Sequence, residues 1–160
     1  MSSFPENFIA ADRVNCASAT GSKKRILEAA GHLLAHANPE LDEQDIFNKL
    51  LERERLGSTG FGHGVALPHA RIAGIDQAYG CFLRLSEPVD FDAIDDAPVD
   101  LVFALLAPEA ATDEHLRILS TLASLFGDTH FRDALRNAEC THPEQFLQIL
   151  DAQNTTADST

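Results

Sequence analysis

Apolar and polar positions follow two rhythms along the chain, and the changes between them mark out its elements. In "GSKKRILEAAGHLLAHAN" (21–38), Ile26, Leu27, Ala30, Leu33, Leu34 and Ala37 recur at helical spacing behind Ser22, a residue suited to capping a helix N-terminus. The spacing predicts an amphipathic helix with that face in the core. After Asn38-Pro39, the positions of Ile46, Phe47, Leu50 and Leu51 predict a second helix, with Gly57 placed to end it in a left-handed cap. A short strand is expected near Val14.

The rhythm then shortens to that of strands. "VALPH" (65–69) is a brief β-type run, and "AYGCFLRLS" (78–86) alternates so that Tyr79, Cys81, Leu83 and Leu85 share one side. An acidic, turn-rich connection follows in "EPVDFDAIDDAP". "VDLVFALLAP" (99–108) is apolar on both faces, which predicts a strand covered from two sides in the middle of a sheet. Helical spacing returns with Leu116, Leu119, Leu122, Ala123 and Phe126, stops at Gly127, and resumes in "HFRDALRNA" and "PEQFLQILD".

The first β-type runs lie too close together for a crossover helix between them. The order of elements therefore predicts an α/β fold: a single-domain α/β sandwich, with a mixed β-sheet carrying helices on both faces. Residues 1–150 are expected to form that domain, and the small polar residues 151–160 a disordered tail.

Composition narrows the partners. Hydrophobic residues at 44% and charged residues at 23% suit a packed globular chain. Asp and Glu outnumber Lys and Arg 25 to 12, and the resulting charge of -13 repels nucleic acid and anionic membranes. Cys16, Cys81 and Cys140 are odd in number and widely spaced, so no disulfide framework or cysteine zinc site is suggested, and a reducing cytoplasm fits. No run approaches the roughly 20 apolar residues that span a bilayer, so no membrane insertion is expected.

The candidate chemistry centres on "GSTGFGHGVALPHA" (57–70). Pro68 ends a strand-like run immediately before His69, placing an imidazole at a strand end, where α/β folds gather ligand-binding groups. His115 falls in the first turn of the next long helix, where free N–H groups favour an anion and disfavour imidazolium. The glycine stretch lacks the spacing of a nucleotide-binding loop, but it supplies the Ser58 and Thr59 hydroxyls and flexible amides suited to one phosphoryl group. Arg53 or Arg55 can add a fixed positive charge, and periodicity does not choose between them. His32 and His36 have metal-pair spacing but read better as a solvated helix face, and His130 and His142 as surface residues.

"ERLGSTGFGHGVALPHA" resembles the signature of the fructose/mannitol-type enzyme IIA domains of the bacterial phosphotransferase system. Glu54 fills its acidic or amide position, Phe61 and Gly62 follow, and Val65-Ala66-Leu67-Pro68-His69 with the small Ala70 completes it. The likeness runs from about Ser22 to Leu150, and through "FDAIDDAPVDLVFALLAP" and "HLRILSTLA" it is most similar to the stand-alone, nitrogen-related members.

The resemblance implies that His69 accepts a phosphoryl group from a phosphohistidine of an HPr-like carrier protein. It also implies that Arg53, rather than Arg55, is the active-site arginine, that Thr59 is a loop hydroxyl and that His115 is the second active-site histidine. His63 stands where relatives often have a smaller polar residue. The expected protein is a cytoplasmic phosphocarrier with no cofactor and no metal, whose phosphorylation state controls binding to regulatory targets such as a potassium transporter or a sensor kinase. The alternatives are a sugar-specific soluble IIA subunit, a metalloprotein using His63, His69 and His115, and a binding module in which His69 is idle.

Overall fold

The computed structural model describes residues 4–110, 112–139 and 143–158. Strand β1 (Val14–Ser18) leads into helices α1 (Lys23–Leu34) and α2 (Glu43–Leu56). Three short strands follow, β2 (Gly60–Gly62), β3 (Val65–Ala66) and β4 (His69–Ile72), then the long strands β5 (Tyr79–Val89) and β6 (Val99–Pro108). Helices α3 (Thr112–Phe126), α4 (Thr129–Asn137) and α5 (Pro143–Asp158) close the chain. Ser22 Oγ caps α1 by accepting from the Arg25 amide at 3.2 Å, as its position predicts.

The six strands form one mixed sheet in the order β1-β5-β6-β3-β2, with β4 also paired to β6. Strand β6 runs antiparallel to β5 and parallel to β3 and β4. Its two-faced apolar sequence has the consequence expected of it. Leu101, Phe103 and Leu105 pack with Ile118, Leu122 and Phe126 of α3 on one side. On the other, Val102, Ala104 and Leu106 pack with Ile26, Leu27, Ile46 and Leu50 of α1 and α2. The chain is therefore a single α/β domain with helices on both faces of the sheet.

Strands β3 and β4 lie along the same partner, opposite Leu101–Val102 and Leu105–Pro108. Between them Leu67-Pro68 breaks the line, because proline has no N–H to give to a ladder. His69 is thus the first residue of a new strand, not the last of an old one.

Several expectations need correction. The glycine stretch is partly ordered as a β2–β3 hairpin, with Gly62, His63 and Gly64 all left-handed at its turn (φ 106°, 59° and 79°). Gly57 caps α2 in an extended conformation (φ 160°) rather than a left-handed one. In α3 the buried stripe is Ile118, Leu122, Leu125 and Phe126, while Leu116 is 58% exposed. Cys16 is disulfide-bonded, against the expectation of reduced thiols, and Cys81 is a buried free thiol. Helix α5 runs to Asp158. His130 is exposed, and His142 lies outside the described residues.

Candidate active site

Pro68 determines how His69 is presented. The break in the ladder leaves the Leu67 carbonyl 2.9 Å from His69 Nδ1, while the Pro68 carbonyl still accepts from the Leu105 amide at 2.9 Å. A carbonyl can only accept, so Nδ1 carries the proton and Nε2 carries the lone pair. That lone pair faces Arg53, whose Nε–H donates to Nε2 at 3.3 Å. Burial, and after it the Arg53 charge, lower the His69 pKa against the raising effect of its backbone hydrogen bond, which favours the neutral ring at pH 7.

Arg53 is held from behind. Its terminal nitrogen donates to the Gly57 carbonyl at 3.0 Å, so one guanidinium bridges the end of α2 and the imidazole. Arg55, one residue past the inward-facing Glu54, is exposed. The geometry therefore selects between the two arginines where periodicity did not.

His115 enters from the first turn of α3. Its ring centroid is 5.4 Å from that of His69, it is 7% exposed, and its Nδ1 has no hydrogen-bond partner among the described residues. Burial, with the nearby His69 and Arg71, lowers its pKa to about 4, so this ring too is neutral at pH 7.

Arg53, His69, Arg71 and His115 line one cavity of about 650 Å³, with Leu56 and Leu116 also on its wall. Leu56 is 84% and Leu116 58% exposed, which leaves apolar side chains in solvent beside a polar cavity floor. Two arginines thus stand beside two neutral imidazoles, with Lys49, Glu52 and Glu109 also on the cavity wall.

Ser58 and Thr59 line a smaller adjoining cavity of about 270 Å³ with Arg53 and His69. Their hydroxyls are already engaged: Ser58 donates to the Phe91 carbonyl at 2.7 Å and Thr59 to Glu54 at 2.5 Å. His63 occupies the β2–β3 turn, where its N–H donates to Asp95 at 2.9 Å and its carbonyl accepts from Arg136 at 2.6 Å. Among the described residues no three His, Cys, Asp or Glu side chains converge as a metal site, so the structure does not assemble His63, His69 and His115 as ligands.

Two residues at the site were not singled out for chemistry from the sequence. Arg71 lies two positions after His69 on β4, and the period of two along a strand puts both on one face. In the sequence Glu54 stands out only as part of the motif. A carboxylate on the inward side of an amphipathic helix is the signal that would have drawn it out.

The fold is a small α/β domain with two histidines and two arginines on one cavity, and comparison with known proteins places it in a family. The sequence profile described as "Phosphoenolpyruvate-dependent sugar phosphotransferase system, EIIA 2" matches residues 7–153, and the chain belongs to that family. It is 50% identical over 134 residues to a nitrogen regulatory protein of Pseudomonas aeruginosa, covering 84% of this chain and 86% of that one. The crystal structure of nitrogen regulatory protein IIA-Ntr from Neisseria meningitidis superposes with a TM-score of 0.83 at 45% identity, covering 89% of this chain and 96% of that one. IIA mannitol from Escherichia coli shares the fold (TM-score 0.71, 21% identity, 89% and 98% covered). Membership implies a phosphoryl carrier of the phosphotransferase type. No helix among the described residues is long and apolar enough to cross a membrane.

Proposed function

We propose that this protein accepts a phosphoryl group on His69 Nε2 from a phosphohistidine of an HPr-like carrier, and that its phosphorylation state controls its binding to regulatory targets in the cytoplasm. The observation that carries this reading is the fixed tautomer: Nδ1–H is tied to Leu67, and the Nε2 lone pair, engaged by Arg53, faces a cavity furnished with arginine.

The transfer balances without a metal or nucleotide. The Nε2 lone pair attacks phosphorus as the donor's P–N bond breaks, and the bonding pair returns to the donor imidazole nitrogen. Transfer through such a loose, in-line transition state asks the protein for position and charge more than for covalent chemistry. Arg53 must leave Nε2 as phosphorus arrives, and its fork then grips the equatorial oxygens while Gly57 still anchors one arm. His115, kept neutral, stands beside the new phosphoryl group as a hydrogen-bond partner. Ser58 and Thr59 fix the cavity wall. The exposed Leu56 and Leu116 give a carrier an apolar surface to seat against.

The most similar relatives named above are nitrogen regulatory proteins, which favours a regulatory output, with a potassium transporter or sensor kinase as the kind of target, over a sugar-specific subunit. The reading is tested by incubating the protein with phosphoenolpyruvate, the general phosphotransferase enzyme and an HPr-like carrier. Acid-labile phosphate on the wild type and none on His69→Ala is the expected result, and equal labelling of both would remove His69 from the mechanism.

A further inference from the structure

The transfer just described leaves one buried charge unused. Glu54 follows Arg53 on α2, and consecutive helical residues point about 100° apart, so while Arg53 faces His69 the Glu54 side chain turns inward. It is 6% exposed. A carboxylate so placed is costly unless every oxygen is answered.

The answers come from two other parts of the chain. Lys23, the first residue of α1, reaches Oε1 at 2.9 Å. The Thr59 amide donates to Oε1 at 2.9 Å and the Thr59 hydroxyl to Oε2 at 2.5 Å. Both polar hydrogens of Thr59 therefore end on one side chain, and that side chain is the immediate neighbour of the active-site arginine.

Residues 57–60 are pinned from the opposite side as well. Ser58 donates to the Phe91 carbonyl, and Gly60 lies so close to Ala93 that a Cβ would come within 2.6 Å of the Ala93 Cα. Lys23 also ties down the 91–93 stretch that pins this segment, reaching Asp92 at 3.4 Å and lying 4.9 Å from the Phe91 ring centre. The segment thus held carries the Gly57 carbonyl, the acceptor that fixes one arm of Arg53.

We propose that Glu54 is a positioning residue for phosphoryl transfer: its carboxylate, clamped by Lys23 and Thr59, fixes the 57–60 segment and, through the Gly57 carbonyl, the aim of Arg53 at His69 Nε2. It acts through Arg53 and makes no hydrogen bond to either histidine, although its charge also reaches His69 and raises that pKa. The proposal rests on the reading of His69 as acceptor, and it assigns Thr59 a place in the mount of the arginine. Displacing a reacting group by an ångström can cost two orders of magnitude in rate, so a partial loosening of this mount is worth about tenfold.

The test is a double-mutant cycle on single-turnover transfer from a phosphorylated HPr-like carrier, with folding followed by circular dichroism and urea denaturation. Glu54→Gln retains an acceptor for the Thr59 amide and removes the charge that holds Lys23. It is expected to slow transfer about tenfold in the wild-type background, with carrier affinity unchanged, and less than twofold in the Arg53→Ala background. Equal slowing in both backgrounds would overturn the proposal, because it would mean that Glu54 acts on stability or charge independently of Arg53. A wild-type rate for Glu54→Gln would overturn it too.

Should Glu54→Gln fail to fold, Thr59→Val carries the test. It removes only the hydroxyl, and about threefold slowing that vanishes in the Arg53→Ala background is expected, whereas an unchanged rate defeats the proposal. Failure of the underlying reading looks different: a wild-type protein that takes no phosphate on His69 ends both claims.

Discussion

His32 and His36 stand 5.1 Å apart, ring to ring, at the C-terminal end of α1 and just beyond it, and His69 and His115 stand 5.4 Å apart among α2, β4 and α3. Separation does not distinguish the pairs. Their surroundings do. His32 is exposed, and its Nδ1 meets the solvated carboxylate of Glu43 at 2.9 Å. His69 is tied by Nδ1 to a backbone carbonyl and faced by a guanidinium at Nε2, while His115 is buried at 7% exposure. Burial and nearby positive charge thus hold the inner pair neutral, and the Leu67 carbonyl fixes which His69 nitrogen keeps the proton.

The two pairs should differ most at His69. Replacing it with alanine should abolish acid-labile phosphorylation, whereas His32→Ala and His36→Ala should label like the wild type in the same assay. Arg53→Lys comes next. A lysine cannot hold Gly57 and Nε2 with one planar fork, and single-turnover transfer should slow by about 10- to 100-fold with the fold intact.

At His115 function should fall while stability holds. His115→Leu removes a buried Nδ1 that has no hydrogen-bond partner among the described residues, so urea denaturation should show no loss of stability, while transfer slows about tenfold. Its pH dependence sharpens the point. An unfolded histidine takes up a proton near pH 6.5, but folded His115 refuses one until about pH 4. Between those values the unfolded state binds more protons, so stability is full above pH 6.5 and falls as pH falls. By pH 5 this amounts to about 2 kcal/mol. His115→Leu should flatten that slope in urea melts taken at pH 7, 6 and 5. The smallest effect belongs to the outer pair, where His32→Ala and His36→Ala should change stability by no more than about 0.5 kcal/mol.

Much of this arrangement is legible in the sequence. The two-faced run of β6, the capped α1, the placement of His69 behind Pro68 and that of His115 in a first turn all follow from short-range rules, and the structure brings both histidines to one cavity with Arg53. What periodicity leaves open is set by tertiary packing. Helix α3 has apolar residues at 116, 119 and 123 and again at 118, 122 and 125, and only the position of the sheet decides that the second stripe is buried. Arg53 and Arg55 flank the same apolar arc until Gly57 and His69 choose one of them. The Ser58 and Thr59 hydroxyls suggest phosphate ligands in the sequence, but their partners, Phe91 and the inward-turned Glu54, become visible only once the chain is folded. The tautomer of His69 depends on where the Leu67 carbonyl points, which composition cannot encode.

That tautomer is also the most direct point of attack on the account. Nitrogen-15 NMR of the protein labelled in its histidine side chains, recorded before and after phosphorylation by the carrier relay, reports which ring nitrogen bonds phosphorus. The account predicts phosphorus on Nε2 of His69, with Nδ1 still protonated and hydrogen-bonded to Leu67. Phosphorus on Nδ1, or on His115, would contradict it.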